Sequence, residues 1–223
     1  MSLTEFIRDL QKIPEGIPAP GAILYNALPA RFLKKPQKKL AQTITEQIEN
    51  GTVVDVGSGT GYLAIEIAKA EPRSNVCGID VSKKMVEIAR RNAEGLANVR
   101  FEYGNATDIP FADDSVDFIV STGSLHHWKR PIKIFDECFR VLKEGKEGWI
   151  LDGCSDFSKN QANSLISEHG FLRYKALSIA VKLHGFSNEE YQAKIKSILD
   201  QTKFKDSYKM ELNGIWMKIT VKK

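Results

Sequence analysis

Two stretches of the chain gather residues whose types and spacing could do chemistry. The first is Val53-Val54-Asp55-Val56-Gly57-Ser58-Gly59-Thr60-Gly61, an apolar run that carries one acid and ends in a Gly-x-Gly-x-Gly turn. Glycines let a backbone approach a ligand closely, and a helix starting behind them offers unpaired N–H groups. A second acid, Asp80, closes Val76-Cys77-Gly78-Ile79-Asp80 and stands where such a corner could hold ribose hydroxyls. The second stretch is His126-His127, just past Val116-Asp117-Phe118-Ile119-Val120, on the strand end where ligands bind in open α/β sheets. Successive residues point different ways, so one of the pair is expected to reach a pocket. His127 is the candidate general base or substrate contact, with a structural or rim histidine as the alternative. Adjacent histidines without a third ligand nearby rarely make a metal site, and none is expected. His169 and His184 each precede a glycine and read as helix-end caps. Cys77, Cys138 and Cys154 are far apart, form no Cys-x-x-Cys pair, and read as core residues of an intracellular, reduced protein.

The elements that must position these groups are legible from periodicity. Val53–Val56 reads as a buried parallel strand and Tyr62–Ala68 as a helix with Leu63, Ala64, Ile67 and Ala68 on one face. Ser82 caps a helix with Met85, Ile88, Ala89 and Asn92 inward, and Val99–Tyr103 and Val116–Val120 supply two more strands. Pro131 opens a helix with Phe135, Cys138, Phe139 and Leu142 on one stripe, expected to end at Gly145, and Trp149-Ile150-Leu151 makes a fifth strand. Upstream, a short amphipathic helix at residues 3–12 leads into a Pro/Gly-rich loop. A further helix, with Leu40, Ala41, Ile44 and Ile48 inward, is expected from about Pro36 to Gly51. Downstream, Ser187-Asn188-Glu189-Glu190 has capping-box spacing, and two alternating runs flank Asn213-Gly214, the signature of a hairpin. The alternation predicts one domain over residues 1–223, a doubly wound, mostly parallel seven-stranded α/β sheet with an antiparallel C-terminal hairpin. Residues 1–35 are expected to form an N-terminal lid segment and 155–186 an inserted helical cap. Tyr25 either folds over the ligand from that lid or packs as an ordinary aromatic.

Asp55 decides between ligands. Dinucleotide binders favour Gly-x-Gly-x-x-Gly, whose last glycine lies one residue later than Gly61 does. A carboxylate just below the turn would repel a pyrophosphate but suits a ligand with an ammonium group. S-adenosylmethionine, with its amino group and cationic sulfonium, fits that description.

On these residues the chain resembles the class I S-adenosylmethionine-dependent methyltransferases, across roughly residues 40–155 and the terminal hairpin. The segments that carry the likeness are VVDVGSGTGYLAIEIAK, GIDVSKKMVEIARRNAE, VRFEYGNATDIPFADDSVDFIV and STGSLHHWKRPIKIFDECFRVLKEGKEGWILD. The last two look most like the ubiquinone/menaquinone-type, small-molecule branch. The resemblance implies a Rossmann-like sheet and in-line transfer of a methyl group to a small-molecule acceptor, with S-adenosylhomocysteine as product. It also implies that Gly57, Ser58, Gly59 and Gly61 pass close to the methionine and ribose portions. Asp55 would face the amino group or stabilise the turn. Asp80 would take the ribose hydroxyls, Val81 and Met85 would lie against adenine, Asn105 and Ala106 would meet its edge, and Thr122 would line the methionine end. The family commonly has aspartate where Asn105 stands; asparagine can still accept from the adenine amino group.

Bulk properties narrow the alternatives. The 223 residues are 42% hydrophobic and 27% charged, with a net charge of +4, ordinary for a cytoplasmic enzyme and too mild to argue for nucleic acid. No apolar run approaches the roughly 20 residues of a membrane span. An RNA or protein methyltransferase is the nearest rival, favoured by the basic group Arg31, Lys34, Lys35, Lys38 and Lys39. Against it, Ser121–His127 is not the Asn/Asp-Pro-Pro-Tyr type used on base amines. A nicotinamide oxidoreductase and a non-catalytic cofactor-binding module are more distant alternatives.

Overall fold

The structure, a computed structural model, describes residues 29–156, 158–171, 174–175, 178, 185–213 and 216–223. The expected helix at 3–12, most of the 1–35 lid with Tyr25, His184 and Gly214 lie outside the described residues.

Seven strands form one sheet in the order β3-β2-β1-β4-β5-β7-β6. They are β1 (Thr52–Val56), β2 (Asn75–Asp80), β3 (Val99–Tyr103), β4 (Val116–Thr122), β5 (Leu142–Gly153), β6 (Tyr208–Asn213) and β7 (Trp216–Lys222). Neighbouring strands from β3 through to β5 pair in parallel, and β7 pairs antiparallel with both β5 and β6. The doubly wound sheet and its antiparallel C-terminal hairpin are thus as expected. Reversal of strand order at β1/β4 opens a crevice at their carboxyl ends, the place where ligands bind in such sheets.

The helices cover both faces because strand residues alternate. Val53 of β1 joins Ala41 and Ile44 of α1 (Pro29–Thr45) and Ile48 just beyond it, together with α2 (Tyr62–Ala70) and α3 (Lys83–Asn92), on one side. Val54 and Val56 face the other side, against Ile134, Phe135 and Cys138 of α4 (Pro131–Val141) and against Tyr191, Ile195 and Leu199. Helix α5 spans Lys159–His169, with Gly170 following at φ 81; α6 runs from Asn188 through a π-type turn at Tyr191–Ile195 to Leu199.

Two helices differ in extent from the sequence expectation. Helix α1 begins at Pro29, not near Pro36, and ends at Thr45, short of Gly51. A proline at 29 fills the first-turn role equally well, and Pro36 then lies inside the helix, where it has no N–H to donate. Helix α4 ends at Val141 rather than Gly145, and Leu142 already pairs with Val116 as the start of β5. The last helical carbonyls are taken from outside, Arg140 O by Asp114 N–H (3.1 Å) and Val141 O by Ser115 N–H (2.9 Å), which closes the helix there. Gly145, at φ 74, instead lies beside the register shift between Val116 and Phe118.

Candidate functional site

The glycine corner is built by backbone geometry that only glycine adopts cheaply. Gly57, Gly59 and Gly61 have φ of 73°, 54° and 81°. Gly57 N–H and Ser58 N–H both donate to Ile79 O of β2, at 2.9 and 3.1 Å, and Gly61 N–H donates to Ser58 O at 2.9 Å. At Gly61 a Cβ would stand 2.5 Å from the Phe101 ring, so the turn is also closed by packing. At Gly59 a Cβ would meet nothing within 4 Å, leaving that part of the turn facing open space.

Around this turn the structure gathers several of the residues singled out from the sequence. Asp55 is 1% exposed beneath it, on the α2 side. Burial, reinforced by the nearby Asp80 carboxylate, pushes its pKa up to about 7 against the pull of the Ala64 N–H at the start of α2. Asp55 Oδ1 and Ser58 Oγ are buried without a hydrogen-bond partner. Unpartnered buried polar atoms are costly, and the two at this corner make it a candidate for a ligand that would supply the missing partners. Asp80, at the carboxyl end of β2, accepts from Gly59 N–H and Ser82 N–H, both at 2.8 Å. Burial nonetheless holds its carboxyl above the ordinary value. Ser82 caps α3 through Met85 N–H (3.4 Å), which seats the buried Met85 and half-buried Val81 beside Asp80.

The loop after β3 carries Asn105 and Ala106. Asn105 Oδ1 accepts from Thr107 N–H at 3.0 Å, an Asx-type turn, and Ala106 packs on the core. Helix α4 fixes this loop: Glu137 accepts from Ile109 N–H at 3.0 Å and Arg140 donates to Ile109 O at 2.9 Å. Thr122 ends β4, level with Leu151 of β5.

Behind the corner lie Ser121, Ser124 and Asp152, to which the sequence reading assigned no role. Buried Ser121 donates to Val56 O at 2.7 Å and sits 2.6 Å from Ser124 Oγ, to which Trp128 Nε1 donates at 3.1 Å. A Cβ on Gly57 would stand 2.6 Å from Ser124 Cβ, so this hydroxyl chain forms the floor of the corner. Asp152, 3% exposed at the end of β5, holds His126: its oxygens lie 3.0 and 2.9 Å from Nδ1, and Oδ2 accepts His126 N–H at 3.1 Å. The signal for Asp152 was an acid at the carboxyl end of an otherwise apolar strand. Sequence weighting favoured His127. His127 is half-buried with its ring centroid 4.0 Å from that of His126, but the buried carboxylate partner belongs to His126.

Comparisons with known proteins agree with this architecture. Residues 48–210 match the family described as "Methyltransferase domain". The chain belongs to the methyltransferase-domain family. A Methanococcus maripaludis protein, its crystal structure titled as a candidate S-adenosyl-L-methionine-dependent methyltransferase, superimposes on this methyltransferase domain with a TM-score of 0.73. It is 26% identical, with 92% of this chain and 93% of that one covered. The Bacillus subtilis protein named "uncharacterized methyltransferase YcgJ" is 38% identical over 45% of this chain and 40% of its own length. The Geotalea daltonii protein named "ubiquinone/menaquinone biosynthesis C-methyltransferase UbiE" is 30% identical over 67% of this chain and 65% of its own. The chain therefore spans less than two thirds of either relative's length. The fold and family are those of S-adenosylmethionine-dependent methyltransferases, and the residues at the corner fit that cofactor: an orphaned carboxylate oxygen for an amino group, and a second acid for the ribose.

Proposed function

We propose that this chain is a cytoplasmic S-adenosylmethionine-dependent methyltransferase that methylates a small-molecule acceptor. The observation that carries the reading is Asp55, a buried carboxylate with one unpartnered oxygen beneath a glycine turn. That group would oppose a pyrophosphate and favour an ammonium. Asp55 and Ser58 would hold the methionine end, with Gly57, Gly59 and Gly61 giving close backbone approach and Thr122 beside them. Asp80 would take the ribose hydroxyls: a carboxylate has about four acceptor sites, and two N–H donors leave room for more. Val81 and Met85 would flank adenine, with Asn105 and Ala106 at its edge.

When bound, S-adenosylmethionine supplies a methyl group activated by its sulfonium and departs as S-adenosylhomocysteine. The chain's contribution is alignment and a dry site, which the rigid Ser121–Ser124–Trp128 floor and the α4 clamp on the adenine-side loop support. A quinol-type acceptor is the acceptor class we favour, because the Geotalea relative is named for ubiquinone/menaquinone C-methylation. The 1–35 lid, with Tyr25, and the 155–186 cap would shape the acceptor side. The three buried free thiols suit a reducing compartment. Among the described residues no helix is long and apolar enough to cross a membrane.

Calorimetry with S-adenosylmethionine, S-adenosylhomocysteine and NAD tests the cofactor. Binding of the first two is expected, and tight binding of NAD alone would overturn the reading. Labelled-methyl transfer to a panel of hydroquinones, amines, thiols and RNA then reads the acceptor, with transfer to RNA as the rival outcome.

A further inference from the structure

Among the described residues, four buried side-chain atoms have no hydrogen-bond partner: Gln37 Oε1, Asp55 Oδ1, Ser58 Oγ and Ser74 Oγ. Ser74 stands just before β2, at the amino edge of the sheet and away from the glycine corner. Asp55 and Ser58 belong to the corner itself. Gln37 lies on α1, outside the corner's own segment, and the packing of α1 brings it to the same place.

Gln37 is four and seven residues before the buried Ala41 and Ile44, so it extends the inner stripe of α1 by one turn toward the helix start. Helix α1 ends at Thr45 and β1 begins at Thr52, and Ala41 and Ile44 share a core cluster with Val53 near the start of β1. Such a short link between packed neighbours sets the helix antiparallel to the strand. Four residues back along α1 is a rise of about 6 Å. Two residues on along β1, from Val53 to Asp55 on the same face, is about 6.6 Å. Gln37 therefore stands level with Asp55. Helical side chains lean toward the N-terminus, which carries the Gln37 amide further toward the corner. Ser58 Oγ completes the group: it lies 2.7 Å from where a Cβ would stand on Gly78, the β2 residue paired with Asp55.

The chemistry of these three atoms is one-sided. A carboxylate oxygen and an amide oxygen only accept, and a hydroxyl can accept as well. They call for a donor, not for the carboxylate end of a ligand. An ammonium group carries three N–H donors. A neutral amide supplies an acceptor without a second negative charge beside Asp55, and without a cation that would occupy Asp55 in the ligand's place.

We propose that Gln37 is a cofactor-binding residue, its amide oxygen accepting from the amino group of S-adenosylmethionine together with Asp55 and Ser58. The proposal rests on the methyltransferase reading above. It gives α1, which carries none of the glycine or acid motifs, a part in selecting a ligand with a free amino group.

Calorimetry on the full chain tests this with two ligands: S-adenosylhomocysteine, and its deamino analogue, which keeps the carboxylate. Gln37→Met preserves the length of the side chain and removes the acceptor. It is expected to weaken S-adenosylhomocysteine about tenfold or more while the deamino analogue stays within about twofold of wild type. The melting temperature of the unloaded variant should be no lower than that of wild type, because a buried unpaired oxygen is gone. Gln37→Glu keeps an acceptor in the same place and should hold S-adenosylhomocysteine affinity within about threefold, a second measurement that stands even where Gln37→Met fails to fold. Normal S-adenosylhomocysteine binding by Gln37→Met overturns the proposal. So does an equal loss for both ligands, which is what a distorted corner would give. A loss of about tenfold in Gln37→Glu overturns it as well, since that would place the amide N–H on the ligand's carboxylate. Failure of S-adenosylhomocysteine to bind the wild-type chain would instead sink the methyltransferase reading on which the proposal stands.

Discussion

At the scale of single residues, Asp55 has the largest consequence. It is 1% exposed, and its carboxyl is pushed up to about 7 from an ordinary 3.8 by burial first and by the Asp80 charge second. A folded-state pKa above the unfolded one means the fold is favoured by this group fully below about pH 4. That contribution is lost as pH rises through 7. The unloaded protein should therefore carry a penalty at pH 8 that it lacks at pH 4, at most about 4 kcal/mol from this residue. A cationic amino group reverses the preference and draws Asp55 to its ionised form. S-adenosylmethionine affinity is expected to rise with pH up to about 7 and then level off, with proton release on binding near pH 6.5. Calorimetry in buffers of different ionisation enthalpy reads both quantities. Asp55→Asn should weaken cofactor binding by at least tenfold and flatten this pH dependence while raising the melting temperature of the unloaded protein at pH 8. A variant that binds normally would remove Asp55 from the site.

At the scale of elements, the turn between β1 and α2 depends on what surrounds it as much as on its glycines. Gly61 combines a left-handed φ of 81° with a Cβ position 2.5 Å from the Phe101 ring and 3.0 Å from Ala89 Cβ. Gly61→Ala should cost about 2–4 kcal/mol through overpacking and backbone strain together, seen as a lower urea midpoint. Adding Phe101→Leu should recover part of the loss if packing is the larger share. The start of α6 offers a smaller, separable effect. Ser187 Oγ accepts from Glu190 N–H at 3.0 Å, and Glu190 returns the bond to Ser187 N–H at 2.8 Å. Ser187→Ala is expected to lower stability by about 1 kcal/mol and leave cofactor affinity unchanged, since α6 packs on the face of the sheet opposite α2. A change in affinity would show that α6 is coupled to the corner.

At the scale of the whole molecule, the C-terminal hairpin is integrated with the parallel half of the sheet. Strand β7 pairs with β5 from Glu147–Lys222 to Gly153–Trp216, ending one residue past the Asp152 that holds His126. Fully buried Tyr191 of α6 donates to Lys218 O of β7 at 2.9 Å, tying the helix to the hairpin. Tyr191→Phe leaves that carbonyl short of a donor in a dry setting and should cost about 1–2 kcal/mol. Hydrogen exchange should show the loss across β5, β7 and α6 together if these elements open as one unit, and confined to α6 if they do not.

The sequence alone determined the strand–helix alternation, the hairpin and the glycine corner with its two acids. Each is encoded locally, in periodicity of two or 3.6, in capping residues such as Ser82 and Ser187, and in glycines whose backbone angles other residues resist. Helix ends were read less well, because α4 is terminated at Val141 by donors from Asp114 and Ser115, more than 25 residues away in the chain. The pairing of His126 with Asp152 was beyond local reasoning for the same cause. Nothing near the two histidines in sequence marks which one has a carboxylate partner; Asp152 reaches His126 only because β4 and β5 pair side by side. The orphaned oxygen of Asp55 was likewise decided by tertiary structure: the residue type could be read from the chain, but its burial under α2, and hence its raised pKa, arises only when helix and sheet close over it.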